Sequence, residues 1–173
     1  MNLSDTKTKG IDRKTYKIVI GIDYPKLEIG LEKSGWTVPF DYDVIEQYAK
    51  QQGEIVISKI YGDWSLLKKS SKFLSQFEVE LVNVPHILVR GQHRKDTVDT
   101  KMAIDFGMLL NEYPEVNMVI IVSGDCDFIP VVKTIKELRM IKVIVIGEKK
   151  SMSESFGGIA DGTIFYQYLA KLD

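Results

Sequence analysis

Cysteine is almost missing from this sequence: Cys126 stands alone among 173 residues. An internal disulfide is therefore excluded, and a reducing compartment, the cytoplasm, is expected. No apolar run approaches the roughly 20 residues needed to span a bilayer, so no membrane partner is expected. The opening MNLSDTKTKGIDRKT lacks the apolar core of a secretory signal. Neither sign of charge dominates. The 23 Lys and Arg oppose 24 Asp and Glu for a formal net charge of −1, which excludes a chain drawn onto nucleic acid by total charge alone. A hydrophobic content of 45% excludes a disordered or collagen-like chain. Internal repeats and low-complexity segments are absent as well.

What is present is unevenly spread. Residues 23–54 carry seven acids and three bases, whereas residues 131–150 carry six bases and two acids. Such segregation could hold a polyanion beside an acidic site; solvated helix faces would give the same counts. Residues 1–14 are expected to form a flexible N-terminal tail, and 15–173 a single domain.

Short β-branched runs alternate with helix-like segments. Tyr16–Asp23 (YKIVIGID) reads as a buried strand. Asp41 or Asp43 should cap a helix striped by Val44, Ile45, Tyr48 and Ala49 and stopped at Gly53. A strand over Glu54–Tyr61 follows, and Asp63 should cap the next helix. Glu80–Val89 reads as a strand bent or shortened at Pro85, Arg90–Lys95 as a polar loop, and Lys95–Tyr113 as the longest helix. Asn117–Val122 (NMVIIV) should be a central strand, Phe128–Arg139 a helix, Ile141–Ile146 a fifth strand and Thr163–Tyr168 a sixth. This alternation predicts an α/β fold with a mostly parallel sheet covered on both faces.

In such sheets the site lies beyond the carboxyl ends of the strands, near a change in strand order. The first strand ends in Asp23, and the fourth runs into Ser123-Gly124-Asp125-Cys126-Asp127-Phe128. Carboxylates at neighbouring strand ends repel unless a cation neutralises them. A hard ion such as Mg²⁺ or Mn²⁺ fits the oxygen-rich donors better than zinc does, with one Cys and two His in the chain. Asp125 and Asp127 could converge on one ion; equally, Asp127 could cap the next helix and Asp125 serve as a turn residue. Asp99, early in the longest helix, should face the same rim, or else act as a helix-dipole carboxylate. Asp105, six positions on, should pair with Lys101 instead.

The stretch Lys95-x-x-x-Asp99, an amphipathic helix, and Ile120-Ile121-Val122-Ser123-Gly124-Asp125-Cys126-Asp127-Phe128 resembles the NYN domain, more narrowly its LabA-like branch within the PIN-like nuclease superfamily. Lys142–Gly147 and Ile159-Ala160-Asp161 fit the same pattern, and the similarity runs from Tyr16 to Leu172. The resemblance implies a Rossmann-like, PIN-like three-layer sandwich and hydrolysis of RNA phosphodiesters with Mg²⁺ or Mn²⁺. It implies metal-binding and catalytic roles for Asp23, Asp99, Asp125 and Asp127. Ser123 would position a water or a ligand; Arg94 and Lys95 would hold the phosphate backbone of a single-stranded or structured RNA. PIN-like proteins often pair as homodimers, and the oligomeric state here stays open.

One position departs from the pattern. The family usually has Asn three residues after the first aspartate, and this chain has Lys26. Its ammonium could compete with the metal or bind the scissile phosphate, and the inward orientation is expected because Pro25 limits backbone escape. A competing function is therefore a catalytically weakened RNA-binding or regulatory NYN module. Tyr24 and Trp64 could stack on bases, with packing as their alternative use. An aspartyl phosphatase would place D-x-D after the first strand, which Asp23-Tyr24-Pro25 does not match. A sugar-nucleotide transferase would need an acceptor domain for which 173 residues leave little room.

Overall fold

The computed structural model describes residues 15–36, 40–89, 93–95 and 97–171, with the backbone alone at 88–89 and 93–95. The tail over 1–14, Pro39, Arg90–Gln92, the side chains of Arg94 and Lys95, and Leu172 lie outside the described residues.

Strand β1 (Tyr16–Asp23) and strand β6 (Met118–Val122) form the centre of the sheet. Both are apolar along almost their whole length, because each is covered on both faces. Side chains alternate with the period of two. Ile18, Ile20 and Ile22 join Met118, Ile120 and Val122 in one core, while Val19 joins Val119 and Ile121 in the other. Strand β7 (Lys142–Gly147) repeats the division, with Ile144 and Ile146 on the first face and Val143 and Val145 on the second.

The first face is covered by helices α1 (Tyr24–Lys33), α2 (Tyr42–Gln52) and α6 (Tyr166–Leu169), through Leu27, Leu31, Ile45, Ala49 and Tyr166. Helices α4 (Val98–Glu112) and α5 (Ile129–Arg139) cover the second, through Met102, Phe106, Val132 and Ile135. Adding β2 (Gly53–Gly62), β3 (Glu80–Asn83) and β8 (Gly162–Phe165) completes a six-stranded sheet in the order β3-β2-β1-β6-β7-β8. Every pairing in it is parallel. The expected α/β three-layer sandwich is therefore the observed one. The chain leaves β1 in one direction and returns at β6 on the other side, so the strand order reverses between these two. Ligands of open α/β sheets bind at such a point.

Several expectations need correction. Helix α1 was not anticipated; Asp23 caps it by accepting from the Lys26 N–H, with Pro25 in its first turn. Asp63 does not cap the next helix. Helix α3 (Lys68–Leu74) starts later, at Leu67, without a side-chain cap, because the Asp63 carboxylate is taken by Ser65 and His86. The strand read over Glu80–Val89 divides around Val84-Pro85-His86. Its second half, β4 (Ile87–Val89), pairs antiparallel with β5 (His93–Lys95) in a separate hairpin. Helix α4 thus begins at Val98 rather than Lys95, and the last strand stops at Phe165, where α6 takes over. Asp105 pairs with Lys101, as expected. Tyr24 is buried within the first core and tilted 5.3 Å from Trp64, whose indole N–H donates to the Val82 carbonyl. Tyr24 is thus a packing group, and the half-buried Trp64 packs against it.

Asp161 fastens β8 to the sheet. It accepts from the Val143 N–H at 2.8 Å and from Lys136 at 2.9 Å. Burial pushes its carboxyl up, but the Val143 N–H and the Lys136 ammonium outweigh this and hold it below the usual range. A depressed folded pKa stabilises above the unfolded value, near 3.9 for Asp, and that stability is lost as the pH falls. Asp161→Asn should lower unfolding free energy by about 1–2 kcal/mol at pH 7. The deficit should shrink on acidification below about pH 4; urea melts at both pH values measure it.

Candidate active site

The residues at the reversal point form a closed ring of polar contacts. Asp23, the last residue of β1, is 1% exposed. One of its oxygens accepts from the Lys26 N–H at 3.2 Å, the other from the Ser123 hydroxyl at 3.2 Å. Ser123, also 1% exposed, follows β6 directly and accepts from the Asp125 N–H at 3.3 Å. Asp125 in turn meets the Lys26 ammonium at 2.6 Å, which returns the ring to the first turn of α1. Its second oxygen accepts from the Asp127 N–H at 3.1 Å and so starts the 3-10 turn Cys126–Phe128. Burial raises the Asp125 carboxyl, but contact with Lys26 and the Asp127 N–H outweigh it, leaving the group below its ordinary value.

The Lys26 ammonium is therefore directed inward, onto the acidic turn, although its side chain keeps 49% exposure. Among the described residues, the carboxylates of Asp125 and Asp127 and the Cys126 thiol lie within 4.8 Å of one another. Asp127 and Cys126 are exposed. Asp23 and Asp99 stand outside that group. Asp99 occupies the first turn of α4, half-buried. The helix it belongs to packs hard against β1, for a Cβ on Gly21 would come within 2.6 Å of Phe106.

Glu148, which the sequence reading passed over, organises the rest of the rim. It directly follows β7, as Ser123 follows β6, and is 2% exposed. Four donors hold its carboxylate: the Ser34 hydroxyl, the Gln167 amide, and the Lys150 and Ser151 N–H groups, all at 2.7–3.0 Å. Burial opposes ionisation, but the Lys150 N–H and then the Ser34, Gln167 and Ser151 donors prevail and keep it low. The loop it gathers lies directly on the β6 turn. Ser153 donates to the Gly124 carbonyl at 3.0 Å, and a Cβ on Gly124 would sit 2.8 Å from the Met152 Cα. Only glycine permits that approach. The strand-end rule that singled out Asp23 also applied to Glu148. His86 was likewise passed over, being isolated in sequence from every site residue.

Between these elements lies a cleft of about 650 Å³, lined by Lys26, Lys33, His86, Asp125, Ser151 and Ser153 among others. Two lysines and a histidine in its lining suit an anionic ligand, with the Asp125 carboxylate beside them.

The NYN domain family model matches residues 17–168, and the chain belongs to this family of PIN-like nucleases. It is 30% identical over 127 residues to the uncharacterized protein MJ0482 of Methanocaldococcus jannaschii, covering 72% of this chain and 47% of that protein. The chain thus spans about half the length of that curated relative. A crystal structure of VPA0982, a protein of unknown function from Vibrio parahaemolyticus, superposes with a TM-score of 0.75 at 26% identity. That similarity covers 87% of this chain and 93% of the other. Among the described residues, no helix is long and apolar enough to cross a membrane.

Removing the Glu148 charge or crowding Gly124 should loosen the rim. Glu148→Gln should cost about 1.5–3 kcal/mol, since charge-assisted hydrogen bonds are lost. Gly124→Ala should cost about 1–3 kcal/mol, the range for inserting a methyl into a packed contact. Chemical denaturation at pH 7 reads both. For Glu148→Gln the difference from the parent should narrow as the pH falls through the carboxylate range, because the parent's contribution comes from a depressed pKa.

Proposed function

We propose that the protein is a ribonuclease that hydrolyses RNA phosphodiesters with the help of Mg²⁺ or Mn²⁺. The observation that carries the reading is the Asp23–Ser123–Asp125–Lys26 ring at the sheet's reversal point, with Asp127 beside it, in a chain of the NYN family. PIN-like nucleases typically use divalent metals. The donors suit one: Asp125 and Asp127 supply hard carboxylate oxygens within one ion's reach of each other. The Cys126 thiol is a soft and poorer ligand for such an ion. In this reading Asp125 and Asp127 hold the metal, with Asp23 and Asp99 contributing charge from β1 and α4. When bound, the ion lowers the pKa of a coordinated water and offsets charge on the phosphoryl oxygens.

The chain's own residues do the remainder. The Lys26 N–H and the Ser123 hydroxyl fix the Asp23 carboxylate so that it cannot turn away from the rim. Ser123 also sets the direction of the Asp125 backbone and in this reading helps to orient a water. Lys26 and Lys33 attract the phosphodiester, and Arg94 and Lys95 are the cations the sequence assigns to the RNA backbone.

A second reading is favoured by the ion pair itself. With the Lys26 ammonium on Asp125, the protein already carries a cation where a metal would act, as expected of a weakened or purely RNA-binding member. The two readings part in one experiment. The parent should cleave single-stranded RNA in Mn²⁺, stop on chelation, and lose cleavage in Asp125→Asn without losing its fold. Calorimetric titration of Mn²⁺ should show tighter binding to Lys26→Asn than to the parent. About 30-fold corresponds to the roughly 2 kcal/mol by which a unit charge repels a divalent ion at 4 Å in a water-like medium. RNA binding without cleavage, in parent and Lys26→Asn alike, would establish the binding module instead.

A further inference from the structure

The cleft contains a second device that the acidic ring does not use. Asp63 follows β2 directly and is 5% exposed. One of its oxygens accepts from the His86 backbone N–H at 3.1 Å and also lies 3.0 Å from the His86 ring Nδ1. Its other oxygen is held by the Ser65 hydroxyl. The Ser65 hydroxyl, followed by the His86 ring and backbone, holds the Asp63 carboxyl far below the usual range. An imidazole pinned through Nδ1 by a buried carboxylate has its tautomer and ring plane fixed. Nε2 is then the nitrogen left for a ligand, and His86 lines the cleft that also holds Lys26, Lys33 and Asp125. A carboxylate that only braced the turn after β2 would need the backbone contact alone; here the ring is gripped as well.

We infer that His86 is the general acid of the proposed hydrolysis, oriented by Asp63 as a positioning residue. The inference rests on the hydrolase reading above. Imidazole changes protonation near neutrality and can both hold and release a proton there. Water attacks phosphorus and forms the new P–O bond, giving its proton to solvent. The P–O bond to the departing ribose breaks, and that oxygen takes the Nε2 proton of the His86 imidazolium. Solvent returns a proton to Nε2. The ring is held by Asp63, and the cleft it lines is shared with Lys26 and Lys33 from α1 and with Asp125 and Cys126 after β6. Lys26 and Lys33 line the same cleft, so a phosphodiester drawn to them enters the cavity that His86 lines.

A leaving-group test separates this role from binding or packing. A ribose alkoxide needs a proton to depart; p-nitrophenolate does not. Parent and His86→Gln are assayed in Mn²⁺ on a single-stranded RNA and on bis(p-nitrophenyl) phosphate. The expected result is a loss of about 100-fold or more in kcat on RNA, with less than about a 3-fold loss on the aryl diester, well short of a general acid's contribution. Asp63→Asn should show the same selectivity in weaker form. Equal losses on both substrates, or none on either, overturn the assignment. Should His86→Gln fail to fold by circular dichroism, a series of aryl diesters with the parent decides: a shallow dependence of rate on leaving-group acidity supports the acid, a steep one overturns it. A parent that cleaves neither substrate overturns the hydrolase reading and this inference with it. A parent that cleaves both, with His86→Gln unchanged, overturns this inference alone.

Discussion

The Asp23 carboxylate stands at the buried end of a central strand, and the surrounding rim is arranged to keep it tolerable there. A carboxylate so poorly exposed is costly unless its oxygens are hydrogen-bonded. The chain meets that requirement with a backbone N–H from the first turn of α1 and a hydroxyl from the residue after β6. Satisfying one buried anion therefore fixes how α1 leaves the sheet and how the β6 turn is set beside it. Both sides of the cleft hang on that one group.

The same requirement explains the shape of the acidic turn. Asp125 points back across the ring to Lys26 because the Ser123 hydroxyl, already tied to Asp23, receives its N–H. Its carboxylate has two uses: one oxygen starts the 3-10 turn and the other neutralises the ammonium. The turn thus holds together through local charge balance. Asp127 beside it is exposed, where opposite charge from a ligand or ion can reach it.

Around this ring, strand-end acids recur with separate tasks. Glu148 after β7 is surrounded by donors and serves as a structural anchor, pinning its loop onto Gly124. Asp63 after β2 grips a histidine through both backbone and ring. Parallel strands all point their carboxyl ends to one rim, so acids at those ends gather there whatever their distance in sequence. The environment then separates them: four donors make Glu148 an anchor, a histidine ring beside backbone and hydroxyl donors distinguishes Asp63, and exposure leaves Asp127 a charge that a ligand can reach.

Much of this was legible in the residues. The unbroken β-branched runs of β1, β6 and β7 can be stable only when covered on both faces, so strand alternation with helices already implied a parallel three-layer fold. Asp41, Gly53 and the Lys101–Asp105 pair act locally, within a turn or so of chain, and were readable for that reason. Helix α1 was not, since its cap is a strand residue and its sequence carries both Pro25 and Gly30. Nor was the late start of α3, because Asp63 had a partner more than twenty residues away. The Lys26–Asp125 pair, the four donors on Glu148 and the Asp63–His86 grip join segments far apart in the chain. Sequence determined which groups were available and at which strand ends they stood. Their pairing was decided by the parallel sheet, which brings those ends to one rim where every buried charge must find a partner.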